Sequence, residues 1–385
     1  MSLREILRRY VDDGALPGAV GVVAGPGRTE VAAVGSVDVE GSRPMAEDSL
    51  FRFASLTKPV TAAAVLALVD DGRLALGDPI GRWLPELAEP KVVRTPAGPV
   101  DDLVPAKRPI TVFDLLTGQA GWGFASDFSL PAVQALFPVQ IDGREVQHFP
   151  EADVWLARPA EVPLLHQPGE SWLYDTCSAV QGVLVARASG SSLPEFLDER
   201  ILAPLGVTDT GFVVGTDRRD RFTSFCKTGP DGLGLADAPD GQWSTMPALP
   251  LGSGGLAGTA GDWVAFGRML LAGGAAADGE RVLTPESVRL MTTDHTTAAH
   301  REIGALFVEG QGWGMGGSVD IAALEPWNVP GRYGWVGGTG TTGYVVPATG
   351  TVSVLLTQVG EDNPVPPQWM RDFWRYASAR PARPE

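Results

Sequence analysis

Hydrophobic positions recur along this chain with two periods, one helical and one of strands. Leu3-Arg4-Glu5-Ile6-Leu7-Arg8-Arg9-Tyr10 repeats its apolar residues every three or four positions and predicts an amphipathic helix. Ala19–Ala24 and Thr29–Val34 flank Gly25-Pro26-Gly27, which predicts a hairpin. Gly343–Pro347 and Thr351–Thr357, joined through Ala348-Thr349-Gly350, predict a second one, and a segment from about Pro366 to Ser378 reads as helical. The unbroken run Val60–Val69 predicts a buried helix that stops near Asp70-Asp71-Gly72, with Gly72 supplying a left-handed end. Further helices are predicted over 111–117, 178–189, 194–202, 260–272 and 284–292. The stretches 90–110 and 137–170 are proline-rich and weakly periodic, so they read as long loops. Strands near both chain ends imply an α+β fold, with one antiparallel sheet built from both ends and flanked by helices. Residues 1–75 and 250–385 would form this discontinuous sheet domain, and 76–249 an inserted, mostly helical lobe with long loops.

The candidate chemistry lies at the start of the apolar helix, in Ser55-Leu56-Thr57-Lys58. Ser55 falls at or just before the helix N-terminus, and Lys58, three residues on, shares its face. A serine hydroxyl becomes an effective nucleophile when a neighbour takes its proton. A lysine can do this when neutral, and both burial and the positive end of the helix dipole push its pKa downward. The predicted pair is therefore a nucleophile and an uncharged amine. A second match, Ser224-Phe225-Cys226-Lys227, runs into Thr228-Gly229 and then Pro230-Asp231-Gly232, and reads as a turn-rich surface loop with no helix.

Composition narrows the partners. The 385 residues are 44% hydrophobic and 20% charged, ordinary for a soluble enzyme of two lobes or one large domain, and carry a net charge of −16 without a basic cluster, which argues against nucleic acid. Cys177 and Cys226 make no disulfide framework. The four histidines (148, 166, 295 and 300) lack metal-ligand spacing, so neither a metal nor a cofactor is expected. No run of eighteen apolar residues suggests a membrane span, and the first residues do not read as a signal peptide. The expectation is a cytoplasmic protein, unless a leader has been trimmed.

Two further motifs follow. Pro168-Gly169-Glu170-Ser171-Trp172-Leu173-Tyr174-Asp175-Thr176 leads into a helix and places Tyr174 in a turn from which it can project into a cleft and shuttle a proton. The glycine-dense Gly334-Trp335-Val336-Gly337-Gly338-Thr339-Gly340 lets a ligand approach the backbone, where an N–H can serve as an oxyanion donor. Jointly, and in this order, the three pieces resemble the penicillin-recognising serine hydrolases: class C β-lactamases, DD-peptidases and family VIII carboxylesterases. The resemblance extends through Asp71–Leu87, Pro204–Thr210 and Gly254–Asp262, and so covers nearly the whole chain. It implies a β-lactamase/transpeptidase-like fold, with Ser55 as the acylated nucleophile, Lys58 its partner in proton transfer and Tyr174 the tyrosine of the Y-x-N motif. It also implies an oxyanion hole formed by the N–H groups of Ser55 and Gly338.

Three departures shape the expected substrate. Thr176 replaces the asparagine of Y-x-N, Trp335 replaces the usual Lys or His of the third motif, and Thr117-Gly118-Gln119-Ala120-Gly121 stands where relatives read T-H-T-S-G. A neutral indole offers one donor and a flat apolar wall where a cation would hold a β-lactam carboxylate. The resemblance therefore implies a carboxylesterase acting through a Ser55 acyl-enzyme on small neutral hydrophobic esters, with Trp335, Gly337, Thr176 and Trp122 at the substrate. Trp172 and Trp313 are further candidate walls. The alternatives are β-lactamase or DD-peptidase activity, an acyltransferase, and a non-catalytic binding module on the same fold. An α/β-hydrolase lacks support, since no serine has glycine at both −2 and +2. The expected partner is a small-molecule ester or amide, and the oligomeric state stays open.

Overall fold

The computed structural model of the chain describes residues 1–230 and 232–379. Its centre is a seven-stranded antiparallel sheet of β1 (Gly18–Gly25), β2 (Arg28–Gly35), β3 (Gly312–Trp313), β4 (Ser318–Val319), β5 (Tyr333–Gly337), β6 (Thr341–Val346) and β7 (Thr351–Thr357). The spatial order is β2-β1-β7-β6-β5-β4-β3. The first hairpin is joined to the last through β1 and β7, in a register running from Ala19↔Thr357 to Ala24↔Val352. This is the α+β architecture with a sheet made from both ends of the chain. Of the sheet domain expected over 1–75 and 250–385, residues 380–385 lie outside the described residues.

Alternation along the strands sorts side chains onto two faces. Val20, Val22, Val352, Val354 and Leu356 enter the main core, while Ala19, Val23 and Leu355 enter a smaller one. The smaller core is closed by α1 (Leu3–Asp12) and the C-terminal α6 (Gln368–Ser378), through Leu3, Leu7, Phe373 and Trp374. Helix α1 starts at a reciprocal cap, in which Ser2 Oγ accepts from the Glu5 amide and the Glu5 carboxylate accepts from the Ser2 amide. The main core packs α5 (Ala260–Leu271) on the sheet, where a Cβ at Gly267 would fall 2.7 Å from Val352. Behind it runs α2 (Thr57–Asp70), buried on every side from Thr57 to Leu68. A helix apolar around its whole circumference is stable only inside a core, so α2 sits between α4 (Thr176–Ser189) and the rest of the molecule.

The two proline-rich stretches are more regular than expected. Lys91–Val93 pairs with Leu103–Pro105. Within and just before 137–170 lie α3 (Pro131–Gln140) and a helix over Ala152–Glu161, each with an internal proline (Pro138 and Pro159). Each proline lies in the last turn, where it costs one i→i−4 bond but has only two helical residues after it, so it marks the end of a helix here and does not exclude one. The helix expected over 194–202 is Leu193–Leu197 followed by a wider turn. Of the second match, Lys227 does not lie on a loop: Phe225–Gly229, which starts just after Ser224, pairs with Gly232–Asp237 as a hairpin, and Asp231 lies outside the described residues. Among the described residues, no helix is long and apolar enough to cross a membrane.

Candidate active site

A short strand, Phe51–Arg52, pairs with Ala257–Gly258 and delivers the chain into a tight turn over Ala54–Leu56 that opens directly into α2. Ala54 takes φ +45°, a strained conformation for a residue with a Cβ, and it immediately precedes Ser55. The turn is fixed from both sides. Thr339 Oγ1 donates to Arg52 O (2.6 Å) and Thr341 Oγ1 to Phe53 O (2.9 Å), tying it to the β5–β6 connection. Thr61 Oγ1 donates to Gly252 O (2.8 Å), tying α2 to the segment that carries Ser253.

On this frame the side chains of all three motifs meet. Lys58 Nζ donates to Ser55 Oγ at 2.6 Å, and Tyr174 Oη donates to the same oxygen at 2.9 Å. The indole Nε1 of Trp335 donates to Tyr174 Oη at 2.9 Å. The Tyr174 ring stacks on Phe307 (4.7 Å between centroids), and Trp313 lies edge-on to Trp335 at 4.6 Å. Backbone bonds in both directions between Phe124 and Tyr174 hold the tyrosine in place.

Lys58 is fully buried, and its ammonium has three acceptors for three N–H groups: Ser55 Oγ, Ser253 O at 2.9 Å and the Asp175 carboxylate at 2.6 Å. Burial pushes its pKa down, but the neighbouring Asp175 carboxylate and Tyr174 outweigh it and hold the amine above its ordinary value. The sequence-based expectation of a neutral lysine is thereby overturned. That expectation counted desolvation and the helix dipole, but not an anion brought in from a distant segment.

Asp175 reaches this position through an unusual backbone. With φ +78° and ψ −60° it is the centre of a three-residue turn closed by Thr176 N–H to Tyr174 O at 3.2 Å, a sparsely populated and strained geometry. Its second oxygen accepts from Gln140 Nε2 at 2.6 Å, and Gln140 Oε1 accepts from Thr176 Oγ1 at 3.0 Å. Gln140 ends α3, just before Ile141 at φ +51°.

Ser55, Tyr174, Trp335 and Gly338 line one cavity of about 270 Å³, together with Phe307 and the loop over 361–364. Three residues expected at the substrate do not line it. Thr176 is wholly buried and its hydroxyl is committed to Gln140. Trp122 is packed in the main core. Gly337 lies beneath the turn that carries Ser55, where a Cβ would fall 2.4 Å from Phe53 O and 3.3 Å from the Ser55 amide, so its smallness positions the turn. Trp172 and Trp313 are buried behind Tyr174 and Trp335. Sequence reasoning missed Asp175, Gln140, Phe307, Arg144 and Glu361. For Asp175 a signal existed, an acid inside the tyrosine motif, whereas the others reach the site only through long-range packing.

The sequence profile of the family described as "Beta-lactamase" matches residues 3–372. An uncharacterized protein of Mycobacterium tuberculosis is 40% identical over 364 residues, which cover 91% of this chain and 88% of that protein. Esterase EstB of Burkholderia gladioli is 33% identical over 365 residues, covering 89% of this chain and 86% of the esterase. Among solved structures, EstCE1, described as a hydrolase with promiscuous acyltransferase activity, superposes with a TM-score of 0.81 at 23% identity, over 97% of this chain and 96% of that one.

Proposed function

The chain belongs to the beta-lactamase family, and on that premise we propose that it is a serine hydrolase that cleaves small esters through a Ser55 acyl-enzyme. The observation that carries this reading is the convergence of Lys58 Nζ and Tyr174 Oη on Ser55 Oγ at 2.6 and 2.9 Å. Ser55 Oγ attacks the ester carbonyl carbon as its proton passes to Tyr174 Oη, which gives its own phenolic proton to the departing alkoxide, while Lys58 stays an ammonium throughout. Water then attacks the acyl carbon and passes a proton to Tyr174 Oη, which returns its own to Ser55 Oγ as the acyl bond breaks. Charge that develops on Ser55 Oγ or Tyr174 Oη meets the Lys58 ammonium, kept charged by Asp175, and the Trp335 N–H. Ser55 and Gly338, both at the cavity wall, would supply the backbone donors for the carbonyl oxygen.

Neutral hydrophobic esters suit this cleft better than β-lactams. Trp335 has no charge to offer a carboxylate, and its single N–H is already used by Tyr174. The other cation at the wall, Arg144, is held by both oxygens of Asp142, at 2.8 Å (Nε) and 2.7 Å (Nη2). Turnover of p-nitrophenyl butyrate against nitrocefin by wild type and Ser55→Ala tests the reading. Butyrate ester hydrolysis that vanishes in Ser55→Ala, with nitrocefin at least tenfold poorer in kcat/KM, is the expected result. Equal ester turnover in the two proteins overturns the acyl-enzyme, and a preference for nitrocefin overturns the ester assignment.

A further inference from the structure

The charges around the cleft do not balance. Lys58 is matched by Asp175 and Arg144 by Asp142, while Arg144 also spends a donor on the backbone carbonyl of Glu361 at 3.3 Å. Glu361 and Asp362, which line the same cavity, are left over. Glu361 is the notable one. Its Oε1 is shut off from solvent and finds no hydrogen-bond partner among the described residues. One closed, unpaired oxygen is costly, while the residue as a whole is only half-buried, so the carboxyl stands at the cavity wall within reach of a group that completes it. Its place is fixed beside the reacting centre, because the Glu361 amide donates to Gly338 O at 3.0 Å. Across the cavity stand the aromatic side chains of Phe307 and Trp335, surfaces that also attract a cation.

We propose that Glu361 recognises a cationic nitrogen on the substrate, so that the preferred esters carry an ammonium group a few bonds from the ester itself. This rests on the hydrolase reading and revises its substrate, from neutral hydrophobic esters to esters that carry a positive charge beside their hydrophobic part. The protonation of Glu361 agrees: burial raises its carboxyl to about 8, with Arg144 opposing, so at neutral pH it carries a proton that an arriving cation displaces. The other charged groups around the cavity are Arg144 and Asp142 from the segment after α3, Lys227 at 3.8 Å from Asp142, the neighbouring Asp362, and Asp175 with its partner Lys58.

Two ester pairs matched in shape test it. One is butyrylcholine with 3,3-dimethylbutyl butyrate. The other is the p-nitrophenyl esters of 4-(trimethylammonio)butyrate and 5,5-dimethylhexanoate. In at least one pair, wild type should prefer the cationic member by about tenfold or more in kcat/KM, and Glu361→Gln should reduce that ratio at least fivefold. Calorimetric titration with butyltrimethylammonium chloride reads the recognition without turnover, and Glu361→Gln should weaken that binding at least fivefold. No cationic preference in either pair, or a preference and an affinity that both survive Glu361→Gln, overturns the assignment. If no ester is turned over above the Ser55→Ala background, the hydrolase reading falls, and the titration still decides whether Glu361 binds the cation.

Discussion

Asp175→Asn removes one charge from a buried pair while preserving shape, and asparagine is among the residues that best tolerate positive φ. Both carboxylate oxygens accept N–H donors, one from Lys58 and one from Gln140, so the new amide must turn its NH2 toward one of them. The Coulomb attraction lost at 2.6 Å is about 6 kcal/mol at an effective dielectric constant near 20, part of which is returned by the remaining hydrogen bond and by relaxation. Breaking a buried pair from one side typically costs about 3–5 kcal/mol, and that range is expected at pH 7. The pH dependence identifies the cause. In wild type the raised lysine contributes stability that is present below its unfolded pKa and is lost as pH rises through the folded one. In the variant burial, the largest single influence on Lys58, is opposed by Tyr174 without the Asp175 charge, so the folded pKa drops below the unfolded one and stability instead climbs with pH. The gap between the proteins should therefore be widest near neutrality and narrow toward pH 10.5. Guanidinium unfolding of both proteins at pH 7 and pH 10 measures it. A gap under about 1 kcal/mol at pH 7, or one that does not shrink by pH 10, would falsify the account of a charged Lys58 held by Asp175.

Other consequences are equally direct. Tyr174→Phe and Lys58→Ala should each lower kcat for p-nitrophenyl butyrate by about 10²-fold or more, and near-normal rates in either variant would remove that residue from the chemistry. Trp335→Phe keeps an aromatic wall but deletes the donor to Tyr174 Oη, so kcat should fall about tenfold with KM nearly unchanged. A rise in KM alone would mean that the indole serves only as a wall. Glu361→Gln should stabilise the fold at alkaline pH. Because burial holds this carboxyl at about 8, wild type loses stability as pH climbs from about 4.5 toward 8, by at most about 5 kcal/mol. Melting at pH 5 and pH 9 should show the advantage of the variant growing with pH, and a constant difference would rule out a raised carboxyl.

What the sequence revealed depended on how local the cause was. The two hairpins, the wholly apolar α2 and the spacing of Ser55 and Lys58 were legible because turn chemistry and helical period act within a few residues. The charge on Lys58 was not, because its anion arrives from a segment more than a hundred positions away. Thr176 illustrates the same limit. Its identity was read as a feature facing the substrate, yet its hydroxyl is turned inward to Gln140, and depth of burial is a property of packing. The helices around Pro138 and Pro159 were missed for a different reason, since a proline two residues from a helix end gives up one bond without preventing the turns before it.

The pairing of β1 with β7 also governs when the molecule can come into being. On the ribosome the first hairpin emerges early, yet β1 faces an empty edge until more than three hundred further residues have been synthesised. Ser55 and Lys58 leave the exit tunnel long before Trp335, so no nascent fragment possesses a working centre. During that interval an unpaired strand is open to pairing with other chains, which makes the rate of translation a determinant of yield.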